Sequence, residues 1–145
     1  MRLSTRARYG LRAMIELSHD PEGAAGHVIA KNQCLPAAYL EQILARLRRA
    51  KLVSSVRGAR GKFMLTGEAK SITLAQILEA VEGPFSIAAC EDVAHCHDNP
   101  DSCVIQRVYS EANQLLYDYF NNITLAELAD QQTDQQNNPV LDYSI

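Results

Sequence analysis

The apolar positions of this chain fall mainly at spacings of three and four, interrupted once by two β-prone runs around a glycine-bearing turn. Ala7, Leu11, Met14 and Leu17 mark one face of a first helix, with Ser4 as its N-cap and Asp20-Pro21-Glu22-Gly23 ending it. A short second helix is expected over 27–33. A third follows, with Pro36 in its first turn and Leu40, Ile43, Leu44 and Leu47 facing inward. Two helices joined in this way make a helix-turn-helix layout. The runs 52–56 and 62–65 flank Arg57-Gly58-Ala59-Arg60-Gly61, whose glycines suit a hairpin tip, and predict a two-stranded wing.

Beyond the wing, Thr73 and Gln76 form a capping-box pattern before Leu74, Ile77, Leu78 and Val81, and Gly83-Pro84 stops that helix. Ile105, Val108, Ala112, Leu115 and Tyr119 then predict a long helix over 104–120 with one continuous apolar seam. Such a seam needs a partner, and a homodimer built on it is the economical solution. Thr124 with Glu127 is a second capping-box pattern opening a short terminal helix, and 131–145 has the Gln, Asn and Asp composition of a disordered polar tail. The expected architecture is mainly α. A winged helix-turn-helix occupies 1–83, a cysteine loop 84–103, the dimerisation and terminal helices 104–130, and the tail 131–145.

At 145 residues the chain is long enough for one core, and no apolar run approaches the roughly 20 residues a bilayer requires. The amino-terminal residues lack a signal-peptide pattern, so the expectation is a cytoplasmic protein without a membrane partner. The net charge of −3 conceals a segregation that changes this bland picture. Residues 1–70 hold 13 of the 14 Lys and Arg against five of the 17 acids, a net +8, leaving Arg107 alone against 12 acids, a net −11. A cationic half can displace counterions from a phosphate backbone, while the acidic half would face away from it.

The third helix offers what a major groove requires. Glu41 and Gln42 are polar and outward on the apolar pattern, suited to cytosine N4 and to adenine N6 and N7 respectively. Arg46, Arg48, Arg49 and Lys51 supply cations at its far end, although neutralising the helix dipole would account for any single one of them. Arg57, Arg60 and Lys62 around the hairpin tip suit a narrow minor groove.

Cys90, Cys96 and Cys103 lie in one acid-rich stretch with His95 and His97, separated by five and then six residues. Three thiols in a cytoplasmic protein favour a metal over structural disulfides, and zinc would find a fourth ligand in either histidine. Cys34, before the third helix, reads as a small buried residue, with a redox thiol as the alternative. No Ser-His-Asp set, phosphate loop or paired carboxylates stand in a recognisable context, so enzymatic activity is not expected.

Four motifs in order carry a resemblance: Met1-Arg2-Leu3-Ser4-Thr5 with Arg8-Tyr9-Gly10; Tyr39-Leu40-Glu41-Gln42-Ile43-Leu44; Leu52-Val53-Ser54-Ser55-Val56-Arg57-Gly58; and Asn122-Ile123-Thr124-Leu125-Ala126-Glu127-Leu128. Together they resemble the IscR-type family of bacterial winged-helix iron-sulfur regulators. The resemblance implies a homodimer on a pseudo-palindromic double-stranded operator, with Tyr39, Glu41, Gln42 and Arg57 among the DNA-reading residues and Arg46, Arg48, Arg60 and Lys62 beside them. It further implies that Cys90, Cys96 and Cys103 hold an iron-sulfur cluster, a [2Fe–2S] form favoured over [4Fe–4S], whose state gates a repressor or activator sensing iron, cluster or redox status. Where the IscR branch has a histidine ligand this chain has Gln106, and where the nitric-oxide-sensing branch has an aspartate it has Arg8. The fourth ligand is therefore open among His95, His97, Glu91, Asp98 and an exogenous group. A thiol- or zinc-based regulator without the cluster is the alternative; a small electron-transfer protein fits poorly with the +8 half.

Overall fold

In the computed structural model, residues 3–56, 61–84, 86 and 103–137 are described. The helical periodicities converge on one apolar core. Met14 and Leu17 come from α1 (Thr5–Ser18), Ile29 from α2 (Gly26–Asn32), and Leu40, Ile43, Leu44 and Leu47 from α3 (Ala37–Arg49). Ile77, Leu78 and Val81 of α4 (Leu74–Glu82) close it, joined by Leu125 of the terminal helix, and all of these are fully buried. Helices α1 and α4 meet at Gly10, where a Cβ would come within 3.0 Å of the Val81 side chain, so a larger residue there would push the two apart.

The wing is part of a three-stranded antiparallel sheet rather than the two-stranded ribbon the sequence predicts. Strands β2 (Val53–Val56) and β3 (Lys62–Leu65) pair from Val53↔Leu65 to Val56↔Lys62, while β1 (Ala24–Ala25), just before α2, pairs on the far side of β3 at Phe63 and Lys62. Gly23, with φ of +73°, makes this possible: a side chain there would strike the Phe63 carbonyl oxygen.

The recognition segment is punctuated at both ends by the same device. After α2, Leu35 N–H bonds to the Ala30 carbonyl at 2.8 Å and Cys34 N–H to that of Lys31 at 3.2 Å, the paired bonds of a Schellman motif with Cys34 in the left-handed position at φ 51°. After α3, Leu52 bonds to Leu47 at 3.0 Å and Lys51 to Arg48 at 3.0 Å, with Lys51 at φ 61°. Cys34 is therefore exposed, contrary to the buried position expected for it, because its conformation ends a helix and points the thiol outward. Pro36 sits at the N-cap of α3 rather than inside its first turn.

The long helix α5 (Val104–Asn121) and the terminal helix α6 (Leu125–Asn137) complete the chain. Both capping boxes form. Thr73 and Gln76 exchange bonds at the start of α4, and Thr124 and Glu127 do so at the start of α6. The bonds from the Thr124 backbone N–H and then its hydroxyl hold the Glu127 carboxyl below the usual carboxylate range. A carboxyl lowered in this way stabilises the cap above its unfolded pKa and loses that contribution as pH falls through the lowered one. Residues 131–137, assigned to a polar tail by composition, are helical in α6; 138–145 lie outside the described residues.

The two capped starts are braced against each other. Thr73 and Thr124 form an antiparallel bridge, with Leu74 N–H on the Ile123 carbonyl and Leu125 N–H on the Ile72 carbonyl, both at 2.8 Å. The Thr73 hydroxyl adds a bond to the Asn121 side chain at 3.1 Å. The far end of α5 is thereby fixed to the winged unit.

A non-glycine residue in the left-handed region costs about 1–2 kcal/mol, and β-branching makes it worse. Lys51→Val should therefore unfold at lower urea than Lys51→Gly, by about 1–2 kcal/mol. Equal midpoints would refute the left-handed cap after α3.

Candidate nucleic-acid interface and cysteine segment

Helix α3 buries Leu40, Ile43, Leu44 and Leu47, so its other face is presented outward. Glu41 and Gln42 are both exposed on that face, and no hydrogen bond within the described residues consumes their side chains. Tyr39 is half-buried. Its ring meets that of Tyr9 edge-on, with centroids 5.9 Å apart at 77°, and the exposed Arg8 guanidinium lies 5.6 Å from the Tyr9 centroid. This stack sets a cation of α1 beside the start of α3, a neighbour the linear pattern did not single out. Only the adjacency of Arg8 and Tyr9 to the Tyr39 motif in space reveals it.

At the other end of α3, Arg46 is half-buried while Arg48 is exposed and donates to the Ser55 hydroxyl at 3.3 Å, tying α3 to β2. Lys62 is exposed at the start of β3. Glu41, Gln42, Arg48 and Lys62 are therefore held by elements packed against one another. Arg57 and Arg60 lie outside the described residues, between the paired ends Val56 and Lys62.

The carboxyl end of α4 is fastened to the start of α1. The Glu82 carboxylate accepts the Ser4 hydroxyl and the Ala7 N–H, the latter at 3.0 Å, and faces the Arg6 guanidinium at 3.7 Å. Ser4 in turn caps α1 by accepting from the Arg6 and Ala7 N–H groups. The chain leaves this anchor at Gly83 and, among the described residues, re-enters regular structure at Cys103.

Cys103 is the N-cap of α5, half-buried, and its side chain makes no capping bond. Its backbone carbonyl accepts from Arg107 at 3.2 Å. Gln106, half-buried, lies in the first turn of α5. Cys90 and Cys96 lie outside the described residues, as do His95, His97, Glu91 and Asp98, so no three-residue metal-binding group is found among those described.

Along α5, Ile105, Val108, Leu115 and Tyr119 are 60%, 52%, 72% and 64% exposed, and Ala112 is half-buried. The seam exists as a stripe facing away from the winged unit's core. No described helix is long and apolar enough to cross a membrane.

A tight helix-turn-helix followed by a β wing, with polar and cationic residues on the outward face of the second helix, defines a winged-helix DNA-binding regulator. The comparisons with known proteins agree. Residues 3–131 match the model of the Rrf2 family of iron-dependent transcriptional regulators, and the chain belongs to that family. It is 35% identical over 136 residues to the helix-turn-helix-type transcriptional regulator IscR of Escherichia coli, covering 91% of this chain and 82% of that protein. Among solved structures, T. potens IscR superposes with a TM-score of 0.74 at 31% identity, over 94% of this chain and 91% of that one. CymR, the global cysteine regulator of B. subtilis, superposes with a TM-score of 0.72 at 34% identity, over 90% and 98%. These relatives are transcriptional regulators rather than enzymes.

Proposed function

We propose that this regulator acts in the cytoplasm as a homodimer on a pseudo-palindromic operator, and that an iron-sulfur cluster on Cys90, Cys96 and Cys103 gates its affinity. The observation that carries this reading is the position of Cys103: it occupies the N-cap position of the helix whose apolar stripe is left in water. A change of state at that thiol acts directly on the element that would join two copies. The Cys103 thiol fits the group, being uncapped and at a helix start. When bound, the cluster supplies a redox- and iron-sensitive crosslink of the segment 84–103. The Glu82 anchor fixes the end of α4 from which that segment departs.

Glu41 and Gln42 read bases in this account. Arg46, Arg48, Arg57, Arg60 and Lys62 hold phosphates or the minor groove, and Tyr39 positions α3 through its stack on Tyr9. Arg8 adds a phosphate contact beside them. A second reading, a thiol switch without a cluster, is supported by the exposed Cys34 two residues before the N-cap of α3 and by the likeness to a global cysteine regulator.

Leu115→Glu should sediment as a monomer or misfold, whereas the unaltered chain sediments as a dimer at micromolar concentration; a monomeric unaltered chain would contradict the dimer. Gln42→Ala should cost about 1–3 kcal/mol on the specific operator, whereas Arg48→Ala should flatten the log–log salt dependence by about one unit. Unchanged binding by both across a salt titration would remove them from the interface. Chelator-stripped protein should differ from reconstituted protein in operator affinity by about 5- to 150-fold at equal salt, the usual range of allosteric coupling. Cys103→Ser should lose the visible chromophore. A colourless native protein whose affinity follows thiol oxidation would establish the second reading instead.

A further inference from the structure

A cavity of about 430 Å³ opens between α1, the end of α2 and α6. Its walls are polar: Arg12 and Glu16 from α1 with His19 at that helix's C-cap, Asn32 and Gln33 from the close of α2, and Gln132 and Gln136 from α6, with Ile15 the one apolar residue. Volumes of this size hold small ligands, but the polar lining does not suit an apolar one.

The charges in this cavity are satisfied by neutral partners. Arg12 donates from Nε to the Gln33 side-chain oxygen at 3.1 Å and from Nη2 to the Gln33 backbone carbonyl at 2.6 Å. Glu16 accepts from Asn32 Nδ2 at 2.6 Å and from Gln33 Nε2 at 2.7 Å. Arg12 and Glu16 are half-buried and one helical turn apart, yet neither forms an ion pair among the described residues. The Gln33 amide stands between them. A half-buried cation and anion spaced by about 6 Å along a helix, each resting on amide groups, retain capacity for ionic partners that bind more strongly than amides do.

A purely anionic ligand would meet Glu16, and a purely cationic one would meet Arg12. A zwitterion satisfies both. We propose that this cavity is an effector site for a free α-amino acid, with its carboxylate on Arg12, its ammonium on Glu16 and its side chain toward Gln132 and Gln136. The site is wired to DNA reading through Gln33, which is the C-cap of α2 and immediately precedes the Schellman turn at Cys34 and Leu35. Drawing Arg12 off the Gln33 carbonyl loosens the turn that orients α3. This consequence rests on α3 being the DNA-reading helix, but occupancy itself does not.

The test uses the full chain without DNA, so that it stands or falls apart from the operator and cluster readings. Pooled and then individual L-amino acids are added, with their N-acetyl amides as uncharged controls, while thermal unfolding, calorimetry and backbone amide spectra are recorded. At least one free amino acid should raise the unfolding temperature by mass action and shift the Gln33 and Cys34 amide signals, while its N-acetyl amide does neither. Glu16→Gln should weaken binding by about tenfold or more. Gln136→Trp, at an exposed α6 position, should fill the cavity and abolish binding with the circular dichroism spectrum unchanged. The proposal is overturned if no free amino acid shifts these signals, if the acetyl amide binds equally well, or if a folded Gln136→Trp binds like the unaltered chain.

Discussion

The bridge between Thr73 and Thr124 fixes where the long helix can go. Two backbone bonds of 2.8 Å pair the start of α4 with the start of α6, so the carboxyl end of α5 is fastened to the winged unit rather than trailing from it. Leu125, fully buried among the residues of α1 and α4, locks that junction from inside. Because the junction is rigid, the direction of α5 is inherited from the core. The stripe of Ile105, Val108, Leu115 and Tyr119 then has a defined place on the surface. A surface stripe of that kind favours one closed, symmetric pairing over indiscriminate association.

The opposite end of α5 begins at Cys103, whose side chain makes no capping bond. Glu82 fastens the close of α4 to the start of α1, and the chain departs from there toward the cysteines and returns at Cys103. In sequence, the segment 84–103 thus joins the DNA-binding unit to the proposed dimer helix. Shortening or crosslinking such a connection changes the geometry of what it joins, which is the physical content of the proposed gating. The sequence segregates its charge in the same sense, with 12 of the 17 acids beyond residue 70 and 13 of the 14 Lys and Arg before it.

Much of this was legible because it rests on local chemistry. Ser4, Thr73 with Gln76, and Thr124 with Glu127 declared three helix starts, and the inward sets of α3 and α4 followed from spacing alone. What was not legible depends on tertiary partners. Ala24 and Ala25 have no strand pattern and become one only by pairing with Phe63 and Lys62 across the turn that Gly23 permits. The exposure of Cys34 could not be read because its left-handed conformation is normally signalled by glycine. The helix over 131–137 has no apolar periodicity, since its exposed residues are glutamines with Thr133, Asp134 and Asn137. The stacking of Arg8, Tyr9 and Tyr39 joins residues about thirty positions apart and needed the fold to appear.

The central claim is that the cysteine segment sets the spacing of two recognition helices through α5. Dipolar spectroscopy between spin labels carried by a non-cysteine side chain at position 42 of each protomer measures that spacing directly, in reconstituted and in chelator-stripped protein. The account predicts one narrow distribution near the half-site separation of about 34 Å in the state that binds the operator more tightly, and a broadened or displaced one in the other. Identical distributions in the two states, at dimer-saturating concentration, would contradict it.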